Sequence, residues 1–173
     1  MSDRMPAASR PLRVTFVCTG NICRSPMGEV ILRDLLEEAG VGDAVRVDSA
    51  GTTRWEVGNP MDPRALAELR AHGYDGSVHL ARVFEPAWLA ETDLVLAADN
   101  GHATVLRRWA RTREDAEKVR LIRSFDPDAV VAGTLEVDDP WYGDEDDFER
   151  CFAEIEASCR GIAAEVTARI RTR

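Results

Sequence analysis

Apolar residues recur along this chain in two alternating rhythms. Leu12 to Cys18, LRVTFVC, is a short β-branched and aromatic run closing on Thr-Gly-Asn, which predicts a strand entering a tight loop. Ser25 and Pro26 then read as an N-cap and a first-turn proline, and Met27, Val30, Ile31 and Leu35 step at helical spacing until Gly40 ends the run. The alternation returns with a strand at about Val45 to Ala50, a helix capped by Asp62-Pro63, carried by Leu66 and Leu69 and closed at Gly73, and a third strand at TDLVLAA. A helix around His102 to Arg111, a short strand near VRLI and a long irregular stretch from Ser124 to Tyr142 follow. Phe148, Phe152, Ile155, Cys159, Ile162, Val166 and Ile170 step by fours and threes, the buried stripe of a long terminal helix. Strands separated by helices predict an α/β fold, an open four-stranded parallel sheet with helices on both faces, whose ligands bind beyond the carboxyl ends of the strands.

Length and composition keep this to one domain. The chain has 173 residues, 45% of them apolar and 31% charged, which suits a single globular core. Residues 11–173 form that domain in this reading. Met1 to Arg10 offer only Ser, Pro, Ala, Met and charges ahead of the first strand, and read as a flexible tail. The net charge of −9 repels phosphate backbones and anionic headgroups, so neither nucleic acid nor a membrane surface is an expected partner. No apolar run approaches the roughly 18 residues of a membrane span, and MSDRMPAASR lacks the apolar stretch of a signal peptide, which together predict a cytoplasmic protein. Four cysteines at 18, 23, 151 and 159 are too few and too uneven for a disulfide scaffold. His72, His79 and His102 lack zinc-site spacing, so no metal is expected.

The chemistry sits in the first loop, Cys18-Thr-Gly-Asn-Ile-Cys-Arg24-Ser25. A bare C-x5-R match is expected roughly half a time by chance in so arginine-rich a chain, and requiring the following serine lowers that to roughly 0.02. Successive backbone N–H groups of a loop wrapped around a point, with a helix N-terminus behind them, form a nest for a tetrahedral dianion, and Arg24 adds a planar fork for two phosphate oxygens. The same partial charges favour the thiolate of Cys18, a nucleophile for phosphorus. Gly20 alone cannot supply the longer glycine-rich wrap of a nucleotide-binding loop, and GxxxxGK[ST] is absent. The leaving oxygen needs a proton, and Asp-Pro pairs occur at 62, 126 and 139. Asp62 reads as a helix cap. Asp139 is the chosen acid, because Pro140 stiffens its loop and Trp141 with Tyr142 can flank an aromatic substrate, and Asp126 stays as the alternative.

VCTGNICRSPMGE near the N-terminus with VDDPWYGDEDDFE near the C-terminus resembles the low-molecular-weight protein-tyrosine-phosphatase family, over nearly the whole chain. SAGTTRWEVG, DPRALAELRAHG, HLAR and LAADNGH resemble its intermediate segments, and the cysteine loop precedes the acid loop as it does in that family. The resemblance implies a phosphotyrosine monoesterase acting on phosphoproteins through a cysteinyl-phosphate, without a cofactor, with Cys18 as nucleophile, Arg24 as phosphate clamp and Asp139 as general acid and base. It implies a phosphate cradle from Thr19, Gly20, Asn21, Ile22, Cys23 and Arg24, loop support from Asn21, Ser25, Ser49 and His79, and cleft walls from Trp55, Trp141 and Tyr142. Cys23 is either a spacer or, as the resemblance suggests, the partner of Cys18 in a reversible protective disulfide. The family commonly has two tyrosines after Asp-Pro, so Trp141 is a departure that bears on substrate preference.

Other residues read more plainly. Cys151 and Cys159 are core positions, Trp88 and Trp109 pack helices, His72 makes an end-of-helix contact, and His102 faces solvent. The acidic run Asp138 to Glu149 is a solvated helix entrance that also disfavours very acidic phosphopeptides. Two alternatives share the fold. A protein-arginine phosphatase carries a loop threonine where this chain has Ile22, and an arsenate reductase needs relay cysteines that are missing between Cys23 and Cys151. A non-catalytic phosphate-binding module would be expected to lack Cys18 or Asp139. A monomer is the default.

Overall fold

The structure, a computed structural model, describes residues 10–173. The expected tail thus falls almost wholly outside the described residues. Arg10, its last member, is described and ion-pairs with Asp93 at 2.8 Å.

Four strands, β1 (Leu12–Cys18), β2 (Val45–Gly51), β3 (Leu94–Ala97) and β4 (Val119–Leu121), form one parallel sheet in the order β2-β1-β3-β4. Side chains alternate across it. Val14, Phe16 and Cys18 join one core with α1 (Arg24–Glu38) and the stripe of a 27-residue terminal helix, while Val17, Val95 and Ala97 face a smaller core around Phe84 and Leu106. The long helix, α7 (Glu145–Arg171), covers the first core together with α2 (Pro63–Ala71). Close approach of α1 to β1 depends on Gly28, where a Cβ would sit 2.4 Å from the Phe16 ring. The chain leaves β1 toward β2 on one side and returns to β3 on the other, so the carboxyl edge between β1 and β3 is the switch point where such sheets bind ligands.

Several expected boundaries shift for local reasons. Helix α1 starts at Arg24 with Cys23 as N-cap and no side-chain cap, so Ser25 is not the cap; its hydroxyl is turned to Cys18 instead. The expected irregular stretch from Ser124 contains a helix, α6 (Pro127–Ala132), capped by Asp126 accepting from the Asp128 N–H and ended by Gly133 at φ 72°. Asp126, the alternative acid, is thereby a buried cap. Two very short helices, α3 (Trp88–Glu91) and α5 (Arg113–Glu117), have too few turns to show a period. The expected helix after β3 is α4 (Asn100–Trp109), two residues earlier at its start because Asp99 caps it.

Outside the first loop, Trp88, Trp109, His72 and the two later cysteines serve packing. Trp88 and Trp109 pack on Phe84, with ring centroids 5.4 and 6.3 Å away. His72 stacks on Phe152 at 4.0 Å and bonds the Glu68 carbonyl at the end of α2. Cys151 and Cys159 are buried. The acidic run enters α7 through a reciprocal Asp144–Asp147 capping box, with Glu145 and Asp146 in the first turn, where the helix dipole favours negative charge. His102 is the exception: it is buried, 5% exposed, against the first loop.

Candidate active site

Cys18 ends β1, and the next five residues curl back before α1 begins at Arg24. Asn21 makes the curl with φ 60°, a left-handed conformation that asparagine tolerates better than most side chains. Its side chain holds the shape from inside: Nδ2 donates to Ser25 Oγ (2.8 Å) and Ser49 Oγ (2.9 Å), and Oδ1 accepts from the Arg82 N–H (2.9 Å). His79 Nε2 meets the Asn21 carbonyl oxygen at 2.7 Å. Asn21, Ser25, Ser49 and His79 are thereby joined in one hydrogen-bonded network. Cys18 Sγ lies 2.9 Å from Ser25 Oγ on the floor of the loop.

Glu29 completes this side and carried no sequence signal. It accepts from Ser49 Oγ at 2.6 Å and lies 3.7 Å from His79 Nδ1. Burial works to raise its carboxyl, but the His79 and Ser49 contacts outweigh it and hold Glu29 below the ordinary range. The outer flank of the loop is tied by backbone: Thr52 N–H donates to Cys18 O and Thr53 N–H to Thr19 O. Gly51 permits this approach, since a Cβ there would stand 2.6 Å from Thr19 O.

Arg24 is 3% exposed, and its guanidinium is fixed from behind. Nη1 donates to Asp99 Oδ2 (3.0 Å) and Val137 O (2.9 Å), and Nη2 lies 3.5 Å from Asp139 Oδ2. Burial alone would depress a buried arginine, yet the facing Cys18, Asp139 and Asp99 raise it further, so the cation is secure. Asp99 lies at the carboxyl edge of the sheet, just after β3, a position that could have singled it out. Burial opposes its ionisation, and contacts from His102 and Arg24 overcome that to hold its carboxyl well below the usual carboxylate range. His102 in turn meets Thr19 Oγ1 at 2.8 Å, which corrects its expected place in solvent: the first turn of α4 passes directly behind the loop.

The mouth is more open. Cys18, Thr19, Gly20, Ile22, Cys23, Arg24, Trp55, Glu56, Asp139, Trp141 and Tyr142 line a cleft with about 160 Å³ of room. Asp139 heads the Pro140–Tyr142 turn, its Oδ1 accepting from the Trp141 N–H at 3.2 Å. Trp55, Trp141 and Tyr142 are 79%, 49% and 84% exposed, so three aromatic rings border the opening. Burial pushes the Cys23 thiol up, with Asp62 and Cys18 adding to the effect. All four cysteines are free thiols. Among the described residues no group of three or more His, Cys, Asp or Glu is gathered to hold a metal ion.

The arrangement can bind a tetrahedral oxyanion on the loop amides and Arg24, with a sulfur beneath it and a carboxyl group above. Comparison with known proteins points the same way. The family model described as low molecular weight phosphotyrosine protein phosphatase matches residues 13–172. A low molecular weight protein-tyrosine-phosphatase of Streptomyces coelicolor is 52% identical over 161 residues, 93% of this chain and 97% of that protein. A low molecular weight protein-tyrosine phosphatase A of Mycobacterium tuberculosis is 49% identical over 154 residues, 89% of this chain and 91% of that one. Among solved structures, a protein tyrosine phosphatase from Entamoeba histolytica superposes with a TM-score of 0.84 at 26% identity, covering 91% of this chain and 97% of that one.

Proposed function

The chain belongs to the low molecular weight phosphotyrosine protein phosphatase family, and from that premise we propose how its residues divide the hydrolysis of phosphotyrosine. Cys18 Sγ attacks phosphorus as the thiolate while protonated Asp139 gives its proton to the departing phenol oxygen. The P–O bond to tyrosine breaks and an S–P bond forms. Asp139, now a carboxylate, takes a proton from a water that attacks the cysteinyl-phosphate, the S–P bond breaks, and inorganic phosphate leaves. Throughout, amides of residues 19–24 and the open Nη2 side of Arg24 hold the phosphoryl oxygens, where charge spreads in the transition state. The Ser25 hydroxyl supports the sulfur in both its attacking and its leaving role.

One observation carries this reading. The sulfur of Cys18, 2.9 Å from Ser25 Oγ, lies at the floor of a cleft whose mouth holds Asp139 beside Arg24 between aromatic walls. Apolar Ile22 at that cleft favours an aromatic ring over phosphoarginine and offers it no hydroxyl. Substrates are phosphoproteins presenting a phosphotyrosine, and the thiol chemistry suits a reducing cytoplasm. Cys23, buried and lining the same cleft as Cys18, is the partner for a reversible disulfide, formed when a peroxide takes two electrons and two protons from the pair.

The test is phosphate release from a phosphotyrosine peptide under reducing conditions, with phosphoserine and phosphoarginine substrates alongside. Release from phosphotyrosine alone, abolished in Cys18→Ser and slowed about 10²–10⁴-fold in Asp139→Asn, is the expected result. Preferential release from phosphoarginine would replace the substrate class. No release from any substrate by the reduced protein would overturn the reading and turn attention to arsenate reduction.

A further inference from the structure

Asp99 and His102 do more than fill the space behind the loop. Asp99 Oδ2 accepts from Arg24, the last residue of the loop, at 3.0 Å. Its other oxygen, Oδ1, accepts from the His102 N–H at 3.1 Å and lies 3.0 Å from His102 Nδ1, off the line of a ring N–H bond. The far side of the same ring, Nε2, meets Thr19 Oγ1, on the first loop residue, at 2.8 Å. A single carboxylate thus reaches both ends of the loop, one directly and one through an imidazole that is itself 5% exposed.

We infer that His102 is a positioning residue for oxyanion binding: by holding the Thr19 hydroxyl it fixes the first amide of the phosphate cradle, and through Asp99 it links that end of the loop to Arg24. The inference rests on the reading of residues 19–24 as a phosphate cradle. With Nδ1 3.0 Å from the Asp99 carboxylate, electrostatics favours the tautomer that carries its proton on Nδ1, and Nε2 is then the acceptor for the Thr19 O–H. The threonine side chain is then committed away from the sulfur. Its carbonyl is held independently by the Thr53 N–H (3.1 Å) and Thr53 Oγ1 (3.0 Å), so the peptide unit after Thr19 and its side chain are pinned from opposite sides of the sheet edge. Without His102, the Thr19 side chain is free to rotate within the cleft it lines, and the residue that carries the first cradle amide keeps only its backbone contacts, Thr52 N–H on the Cys18 carbonyl and Thr53 on its own.

A staple that merely stabilises the fold would look different from a positioning residue in oxyanion affinity. Inorganic phosphate is therefore titrated calorimetrically into wild type, His102→Ala, Thr19→Val and the double variant, with phosphotyrosine hydrolysis measured in parallel. Each single change is expected to weaken phosphate about 5-fold, and the double variant no more than either alone, because both remove one interaction. His102→Gln, whose amide oxygen can reach the Nε2 position, is expected to recover most of the affinity. Unchanged phosphate affinity with only a lower melting temperature would overturn the inference, as would strictly multiplicative losses in the double variant. Should His102→Ala not fold, Thr19→Val and His102→Gln still decide it: full affinity in Thr19→Val overturns it. Phosphate binding that depends on His102 in a protein without phosphotyrosine hydrolysis would preserve this inference while removing the functional reading.

Discussion

Asn21, Arg24 and Ser25, on the floor of the cleft, are at most 3% exposed, whereas Trp55, Trp141 and Tyr142 on its rim are 49–84% exposed. The floor is tied to β2, α1, α4 with its capping Asp99, and the loop carrying His79 by side-chain hydrogen bonds from at least six residues. The rim hangs on short turns, with Asp139 capping its own turn and Arg64 reaching the Trp141 carbonyl at 3.3 Å. A buried polar network has one arrangement in which every group is satisfied, and leaving one donor or acceptor unpaired costs about 1–3 kcal/mol. An exposed ring has many arrangements and small differences between them. The floor therefore suits the part of the reaction that is the same for every substrate, and the rim the part that differs.

That contrast can be broken at the floor first. Arg24→Lys keeps the charge but loses the planar fork and cannot reach Asp99, Val137 O and a phosphoryl oxygen together. A fall in kcat of about 10²–10³ is expected, the scale of losing a transition-state donor, with the same factor for every phosphotyrosine peptide tried. Losses that varied widely between peptides in steady-state assays would show that the floor also selects substrates.

Glu29 sharpens the comparison through pH. Its carboxyl sits below its ordinary value of 4.5 in the folded chain, so it contributes stability that is fully present above that value and is lost as pH falls through the lower folded value. Glu29→Gln, which leaves the Ser49 hydroxyl and Arg33 facing a neutral amide, is expected to lower stability at pH 7 by about 1.5 kcal/mol. Urea midpoints of variant and wild type should converge as the pH drops below about 4.5. Midpoints separated by the same amount at pH 7 and at pH 3 would mean that packing, and not the carboxylate charge, is what Glu29 provides.

The floor and rim also differed in how readily the sequence disclosed them. Cys18, Arg24 and Ser25 are contiguous with a strand and a helix, and spacing alone brought them together. The strands and the long helix showed through because seven-residue runs and a stripe of 27 residues carry a clear period. Asn21, Ser49 and His79 came only with the family resemblance, and Glu29, Asp99 and Arg82 not at all, since each reaches the loop from a different element and a contact across the sheet leaves no local pattern. His102 misled for the same reason. On a helix whose exposed face carries arginines, a lone histidine reads as surface until the order β2-β1-β3-β4 lays that helix behind the first loop. Helix α6 was missed because six residues between a capping aspartate and a left-handed glycine show too little periodicity to separate from a loop.

The smallest effect belongs to the rim, where this chain has Trp141. Its ring meets Tyr142 edge-on at 4.9 Å and is otherwise half open, so it has little to hold it until a substrate ring enters. An added aromatic pair contributes about 0.5–1.5 kcal/mol beyond buried area, which converts to roughly 2- to 12-fold in affinity. Trp141→Ala is therefore expected to raise KM for phosphotyrosine peptides about 5-fold and to leave kcat nearly unchanged, because the ring touches the bound side chain equally before and during phosphoryl transfer. Trp141→Tyr should recover most of that loss. Asp139 caps the same turn through the Trp141 N–H, a backbone group that both substitutions keep, so the acid stays in place. A drop in kcat in Trp141→Ala would show instead that the indole holds Asp139 in register, and the division between a fixed floor and an adaptable rim would have to be redrawn with Trp141 on the side of the floor.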